Sequence, residues 1–494
     1  MSAPPAPERR RKATKSLKTS SRVGRVAHAP EQRRLYRATD HGRPVTIGPD
    51  QFAPAQREPG WGPFAESFLR TNAEAFAALD VKPEVLAGGR GTVVRIHPGG
   101  RTGAIPLRSG QTGKVAAGFV VEPRFGWRGV GRVLHETGWS AAPDLLLLPL
   151  VPGSGREVPP WVLAGPILNR LAALLRSLRP GYRDREEIVR QPRGRILWGS
   201  YFRVSMARGQ WAKVPCRFPD LASDPILRRH IRWALEKVYR DLVMVGGRDP
   251  VAVSLADVAV RLIEGLADSL PLMPRRERLQ SEMSRAGFST EALVRGVEAL
   301  AWMVDERGLG GGREQDGLAW QLPLDVLWER WVEAVVRRET ALVGGDVLVG
   351  RLGQTVFPLH WTSSSLRSLG HLAPDVVVRR GRSVRIVDAK YKAHLVEIDE
   401  EGWRRMAEEL RETHRADLHQ VLAYASLYDA EEVTATLAYP VRMETWKALH
   451  ATGQDTAHAD LFHGGRRVRL EVRGFPFGGL DDLERAGGLA RGRD

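Results

Sequence analysis

Apolar positions change their period several times along the chain, and each change marks a new element. Phe64, Phe68, Ala73, Phe76 and Leu79 fall at helical spacing and predict an amphipathic helix over Gly62–Leu79. Short β runs follow at Thr92–Ile96, Thr102–Leu107 and Ala116–Glu122, separated by glycine turns at Pro98–Arg101 and Ser109–Gly113. Phe125–Thr137 starts a further helix, and Leu145–Val151 is an apolar run. Long helical periods then occupy Trp161–Leu178, Asp224–Leu242, Leu255–Leu272 and Thr290–Arg307, with Tyr182–Pro219 mixed between them. Asp224-Pro signals one helix start, and Ser289 suits an N-cap for another. The cluster Gly308–Gly312 is the clearest internal boundary. Beyond it, Leu324–Arg338 predicts a helix, Asp375–Val378 and Val384–Asp388 strands, Asp417–Tyr428 a helix and Thr434–Ala438 a strand. That order is an α/β layout.

These shifts predict five segments: a disordered basic tail over 1–60, a β-rich domain over 61–155, a mainly helical middle over 156–312, an α/β domain over 313–460, and a C-terminal tail of uncertain structure over 461–494. The sequence shows no internal repeat or heptad run. A length of 494 residues fits about three domains.

Charge modifies this picture in one place. The formal net charge is +16, and residues 1–43 alone carry +9 from twelve Lys/Arg against three acids. A basic arm of this composition buries too little apolar surface to order itself and suits a polyanion, nucleic acid before membrane. The rest of the chain is only mildly basic. Its DNA contacts must come from local placement, for which Arg379, Arg380, Arg382 and Lys392 are the candidates. One cysteine, Cys216, excludes an internal disulfide and a cysteine-held cluster, and fits a reducing, cytoplasmic location. The longest apolar run is far too short for a membrane span. No G-x-x-x-x-G-K-[ST] occurs: Gln111-Thr-Gly-Lys-Val115 lacks both the hydroxyl and the upstream glycine, so nucleotide hydrolysis is not expected. H-E-x-x-H and G-x-S-x-G are absent too, and His414 and His419 suit a surface or DNA-facing role.

The sharpest chemistry lies at Pro374-Asp375 and Asp388-Ala-Lys390. The Arg379–Arg382 stretch between them makes a turn, so the two runs predict a hairpin with Asp375 facing Asp388. Asp388 and Lys390, two apart, share one strand face. Facing carboxylates repel and favour a hard divalent cation, magnesium with manganese as an alternative. Lys390 then sits where it can orient a water nucleophile or stabilise negative charge on phosphorus. Gln420 and Tyr424 lie one helical turn apart on one face, and Glu329 edges the apolar stripe of its helix.

This set resembles the PD-(D/E)xK nuclease superfamily in its RecB-like branch, and over roughly Thr92 to Pro440 the chain is similar to the McrC family of McrBC-type modification-dependent restriction systems. Asp388-Ala-Lys-Tyr-Lys392, Gln420-Val-Leu-Ala-Tyr-Ala425 and Leu327-Trp-Glu-Arg-Trp-Val332 carry the resemblance. So do Arg193-Gly-Arg-Ile196, Val214-Pro-Cys-Arg-Phe218 and Phe119-Val-Val-Glu-Pro-Arg124. Asp224-Pro-Ile-Leu-Arg-Arg-His230 departs from it, lacking the Asn that family members usually carry. The resemblance implies a restriction-endonuclease-like mixed sheet flanked by helices. It implies Asp375 and Asp388 as magnesium ligands, Lys390 as the catalytic lysine and Glu329 as an ancillary acid, with Gln420 and Tyr424 supporting the site or touching DNA backbone. It further implies a DNA endonuclease that works with, and stimulates, an AAA+ GTPase of McrB type, whose ring the 61–155 domain would plug. A non-catalytic adaptor that activates an NTPase and anchors DNA, and a stand-alone RecB-like exonuclease, are the competing readings.

Overall fold

The computed structural model describes residues 34–49, 52, 61–62, 64–88, 91–139, 141, 143–153, 159–178, 181–222, 225–244, 249–275, 277–279, 290–304, 316–362, 369–392, 408–463 and 466–485. Strand β1 (Arg34–Thr39) lies parallel to β6 (Val115–Glu122), which pairs antiparallel with β5 (Arg101–Arg108). Beside them β2 (Val45–Ile47), β4 (Gly91–Pro98) and β3 (Val81–Gly88) form an antiparallel sheet. Helix α1 (Phe64–Ala78) buries Phe68 and Phe76 against Phe52, Trp61 and Leu79. The expected tail over 1–60 therefore does not hold for residues 34–47. Tyr36 and Ala38 are buried while Arg37 and Thr39 are exposed, a period-2 strand hidden inside a basic stretch. Residues 1–33, which hold most of the predicted arm, lie outside the described residues.

Helix α2 (Gly126–Glu136), β7 (Asp144–Leu145) and β8 (Val151–Pro152) lead into α3 (Pro160–Ser177). Strands β9 (Gly181–Val189), β10 (Arg195–Ile196) and β11 (Val214–Ala222) then build an antiparallel arm, tipped by a helical stretch over 198–208. Within the region expected to be mainly helical, this arm is the departure. Asp184–Ile188 of β9 are all exposed, so the strand carries no apolar alternation for the sequence to show. Helices α4 (Pro225–Met244), α5 (Pro250–Glu264) and α6 (Glu291–Val304) pack with α3 into one core that includes Leu171, Leu174, Ile231, Leu235, Leu255 and Leu300. Gly296 of α6 permits the approach to α3, since a Cβ there would stand 2.5 Å from Leu174.

The remaining elements are β12 (Asp316–Gly317), β13 (Trp320–Pro323), α7 (Leu324–Val343), β14 (Asp346–Val349), β15 (Phe357–Pro358), β16 (His371–Leu372), β17 (Val376–Arg380), β18 (Ser383–Ala389), α8 (Glu408–Ala425), β19 (Glu432–Val441), α9 (Met443–Ala451), β20 (Thr456–His463), β21 (Arg466–Pro476) and α10 (Leu480–Arg485). Their six-stranded mixed sheet runs β14-β17-β18-β19-β21-β20, with β18, β19 and β21 mutually parallel. The expected boundary at 460 falls inside β20, and the supposed tail supplies the interior strand β21. Arg466-Arg-Val-Arg-Leu-Glu-Val places Val468, Leu470 and Val472 against the core, with arginines masking the alternation. The boundary at 313 is likewise crossed, because β13 pairs with β5 and β7.

Candidate active site

Val376 of β17 faces Val387 of β18, and the same antiparallel register sets Asp375 opposite Asp388 at the open end of the hairpin. Asp375 Oδ2 accepts a hydrogen bond from the Ala389 N–H at 2.8 Å. Asp388 is only 2% exposed, and Lys390 Nζ stands 2.7 Å from its Oδ2. The contact is an ion pair, since Oδ2 receives no well-aligned hydrogen bond. Lys390 leaves the strand here, but its N–H donates to the Ala438 carbonyl at 2.9 Å, which fixes it to β19. From α8, Gln420 Oε1 accepts from Lys390 Nζ at 2.9 Å, while Gln420 Nε2 donates to the Tyr424 hydroxyl at 2.8 Å. The ammonium is thus held between a carboxylate and an oriented amide.

Helix α7 reaches this end of the sheet because two of its tryptophans donate into it. Trp328 Nε1 bonds the Ala438 carbonyl at 3.2 Å and Trp331 Nε1 the Pro476 carbonyl at 2.8 Å. That seating brings Glu329 to a small cavity it shares with Arg330, Glu333, Arg351 and Asp375. Burial raises the Glu329 carboxyl, with Asp325 one turn earlier and Asp388 adding to it. Asp375 is pushed up to about 8 by burial, by Asp388 and by Glu329. Asp388 is raised as well, because burial outweighs the Lys390 ammonium. All six candidate residues, Glu329, Asp375, Asp388, Lys390, Gln420 and Tyr424, therefore converge on one end of one sheet.

Three acids press on each other here, and the facing pair Asp375 and Asp388 is a donor set suited to a hard cation. Among the described residues no three His, Cys, Asp or Glu side chains gather closely enough to cage an ion. Two carboxylates with water and phosphate oxygens in the remaining positions are how magnesium is usually held.

Sequence reasoning missed Asp417, which is buried on α8 one turn before Gln420. It takes Lys392 Nζ at 2.6 and 2.8 Å and the Tyr439 hydroxyl at 3.0 Å, and His414 Nδ1 lies 3.1 Å from that hydroxyl. Its spacing from Gln420 and Tyr424 on one helical face was the available signal. Lys392, expected to contact DNA, is instead engaged by this carboxylate. Arg379, Arg380 and Arg382 sit at the turn end of the hairpin, about 17 Å from its open end at ~3.4 Å per residue. Arg382 is also paired with Glu431 at 2.7 Å.

Tyr391, next to Lys390, donates its hydroxyl to Asp40 Oδ2 at 2.7 Å. The Arg124 guanidinium pairs with the same carboxylate at 3.3 Å and lies 4.6 Å over the Tyr391 ring. Arg124 Nη2 also donates to the Lys392 carbonyl at 3.0 Å. The N-terminal sheet thus grips the loop that carries Lys390.

A search of the curated proteins finds no match. Among solved structures, the chain is similar to a refined half-complex from a tetradecameric assembly of Thermococcus gammatolerans McrB AAA+ hexamers with bound McrC. Identity there is 14% and the TM-score 0.39, covering 92% of this chain and 99% of that one. It is also similar to the cryo-EM structure of the Thermococcus gammatolerans McrBC complex, at 14% identity and a TM-score of 0.26, over 62% of this chain and 88% of that one. The model of the McrBC 5-methylcytosine restriction system component family matches residues 162–440, which is more than half of the chain and includes all six converging residues. The chain belongs to the McrBC 5-methylcytosine restriction system component family.

Proposed function

We propose that this chain is the magnesium-dependent DNA endonuclease subunit of a McrBC-type restriction system. The observation that carries this reading is the facing pair Asp375 and Asp388 with the Lys390 ammonium against Asp388. The order of α7, antiparallel β14, β17 and β18, crossover helix α8 and parallel β19 supports a PD-(D/E)xK core around that pair. Asp375 and Asp388 would hold magnesium or manganese, which when bound polarises a phosphoryl oxygen and acidifies water. Lys390 supplies positive charge where a pentacovalent phosphorus gathers negative charge. Gln420 aims that ammonium and Tyr424 holds Gln420, so both position rather than react. Glu329, raised by its buried surroundings, is an ancillary acid at the edge of the pair. Cleavage of closed circular DNA by chain plus partner, lost in Asp388→Ala and Lys390→Ala, is the expected result. Continued cutting by either variant overturns the reading, and cutting confined to ends favours the exonuclease.

The partner in this reading is a ring-forming AAA+ GTPase. One of the similar structures is an assembly of McrB AAA+ hexamers with bound McrC. Here the β9–β11 arm carries exposed Trp198, Phe202, Val204 and Trp211, an apolar tip without cover among the described residues. Such a tip suits insertion into a ring pore, which would move the expected plug from the 61–155 domain to this arm.

A further inference from the structure

The same edge of the central sheet carries a second charged feature beside the catalytic pair. Because β18, β19 and β21 are parallel, their carboxyl ends lie side by side. Lys390 follows β18, while Arg442 follows β19 and Phe477 follows β21. Over the last two a cavity of about 430 Å³ opens between α2 and α9. Arg124, Arg128, Arg132, Arg442 and Lys447 line it against the acids Glu444 and Asp482. Asp482 is engaged by Arg132 at 3.3 Å and by Arg485 at 3.4 Å. Arg128, Arg442 and Lys447 are exposed and have no ion pair among the described residues. Arg124 is nine-tenths buried, and its Nη1 has no hydrogen-bond partner. The N-termini of α2 and α9 border the cavity too, and neither has a side-chain cap. Three uncommitted cations and two positive helix ends in one concavity are the chemistry of a phosphate receptor.

We infer that this cavity receives a backbone phosphate of the DNA strand whose scissile bond lies at Asp375 and Asp388. The inference rests on the nuclease reading above. From β18 to β21 is two strand spacings, about 10 Å. A DNA strand rises about 3.4 Å per nucleotide, so the cavity meets a phosphate about three nucleotides from the cut. A single phosphodiester at that offset fixes the register of the strand before the reaction. Arg128, Arg442 and Lys447 are its positioning residues, and none touches the reacting atoms.

The test is fluorescence anisotropy of a labelled duplex with the full chain in EDTA, comparing wild type with R128A/R442A/K447A over a salt series. The triple variant is expected to bind about tenfold more weakly, with a log K against log salt slope shallower by about one to two. Arg442→Lys is expected to restore most of the affinity lost on Arg442→Ala, and equal melting temperatures separate these effects from misfolding. Unchanged affinity and slope in a triple variant of wild-type chain that cuts DNA overturns the cavity and leaves the nuclease. Weakened binding in a chain that never cuts with any divalent cation overturns the nuclease and leaves the cavity as a DNA site. A wild type that binds no duplex, or a cavity that takes inorganic phosphate or free GMP while DNA affinity ignores the substitutions, overturns the inference.

Discussion

Lys390 shows how much chemistry one residue draws from its neighbours. Its ammonium touches Asp388 and is aimed by Gln420, and a hydrogen bond to a charged group contributes about 1.5–3 kcal/mol. Gln420→Ala is therefore expected to slow cleavage about tenfold to a hundredfold while duplex affinity in EDTA stays the same. A single-turnover assay beside a binding titration separates the two effects. Asp375 offers a second test. Its carboxyl lies at about 8 in the fold against 3.8 ordinarily, so its protonated form is favoured by folding. That contribution is full below about pH 4 and disappears as pH rises through about 8. Metal-free chain should accordingly lose melting temperature across that window, and magnesium should flatten the loss. Identical profiles with EDTA and with magnesium would count against a cation between the aspartates. The six candidate residues were legible as candidates because hairpin spacing and helix spacing are local properties. Asp417 was not, because its partners Lys392 and Tyr439 come from the segment after β18 and from the carboxyl end of β19.

At the scale of elements, α7 is clamped to the sheet by a buried charge triad. Glu339 meets Arg385 of β18 and Arg473 of β21, each at 2.8 Å. The two guanidinium groups outweigh burial and hold the Glu339 carboxyl below its ordinary range. Its contribution is present above the ordinary carboxylate range and is lost as acid passes through the lowered value. Glu339→Ala strands the buried Arg473 and the half-buried Arg385 and is expected to cost about 3 kcal/mol, read from urea unfolding. Elements with clean apolar periods, such as α1, α3 and α7, were legible from sequence. The strands β1 and β21 were not, since arginine on their outward faces dilutes the apolar count that pattern reading uses, and β9 was not, since Asp184–Ile188 are exposed on both faces. Only pairing with a distant strand shows which face is inward.

For the whole molecule, function depends on parts far apart in sequence. Trp198, Phe202 and Trp211 are 57%, 55% and 61% exposed on the arm tip. Replacing all three with serine is expected to abolish stimulation of the partner's GTP hydrolysis while leaving the melting temperature unchanged. Stimulation that survives would place the partner contact elsewhere. The α/β class of the C-terminal part was legible as a succession of elements. The joining of regions was not: β13 enters the N-terminal sheet, and β21 returns from beyond residue 460 to the interior of the six-stranded sheet.

Asp40 has one more consequence. It is fully buried, and its carboxylate is shared by Tyr391 and Arg124. A truncated or proteolysed product lacking the N-terminal sheet leaves the Tyr391 hydroxyl and the segment that bears Lys390 without their anchor. Such a fragment is expected to be a poor cutter even with metal present. The proposed activity would then belong only to the intact protein, because the segment bearing Lys390 is held from the N-terminal sheet.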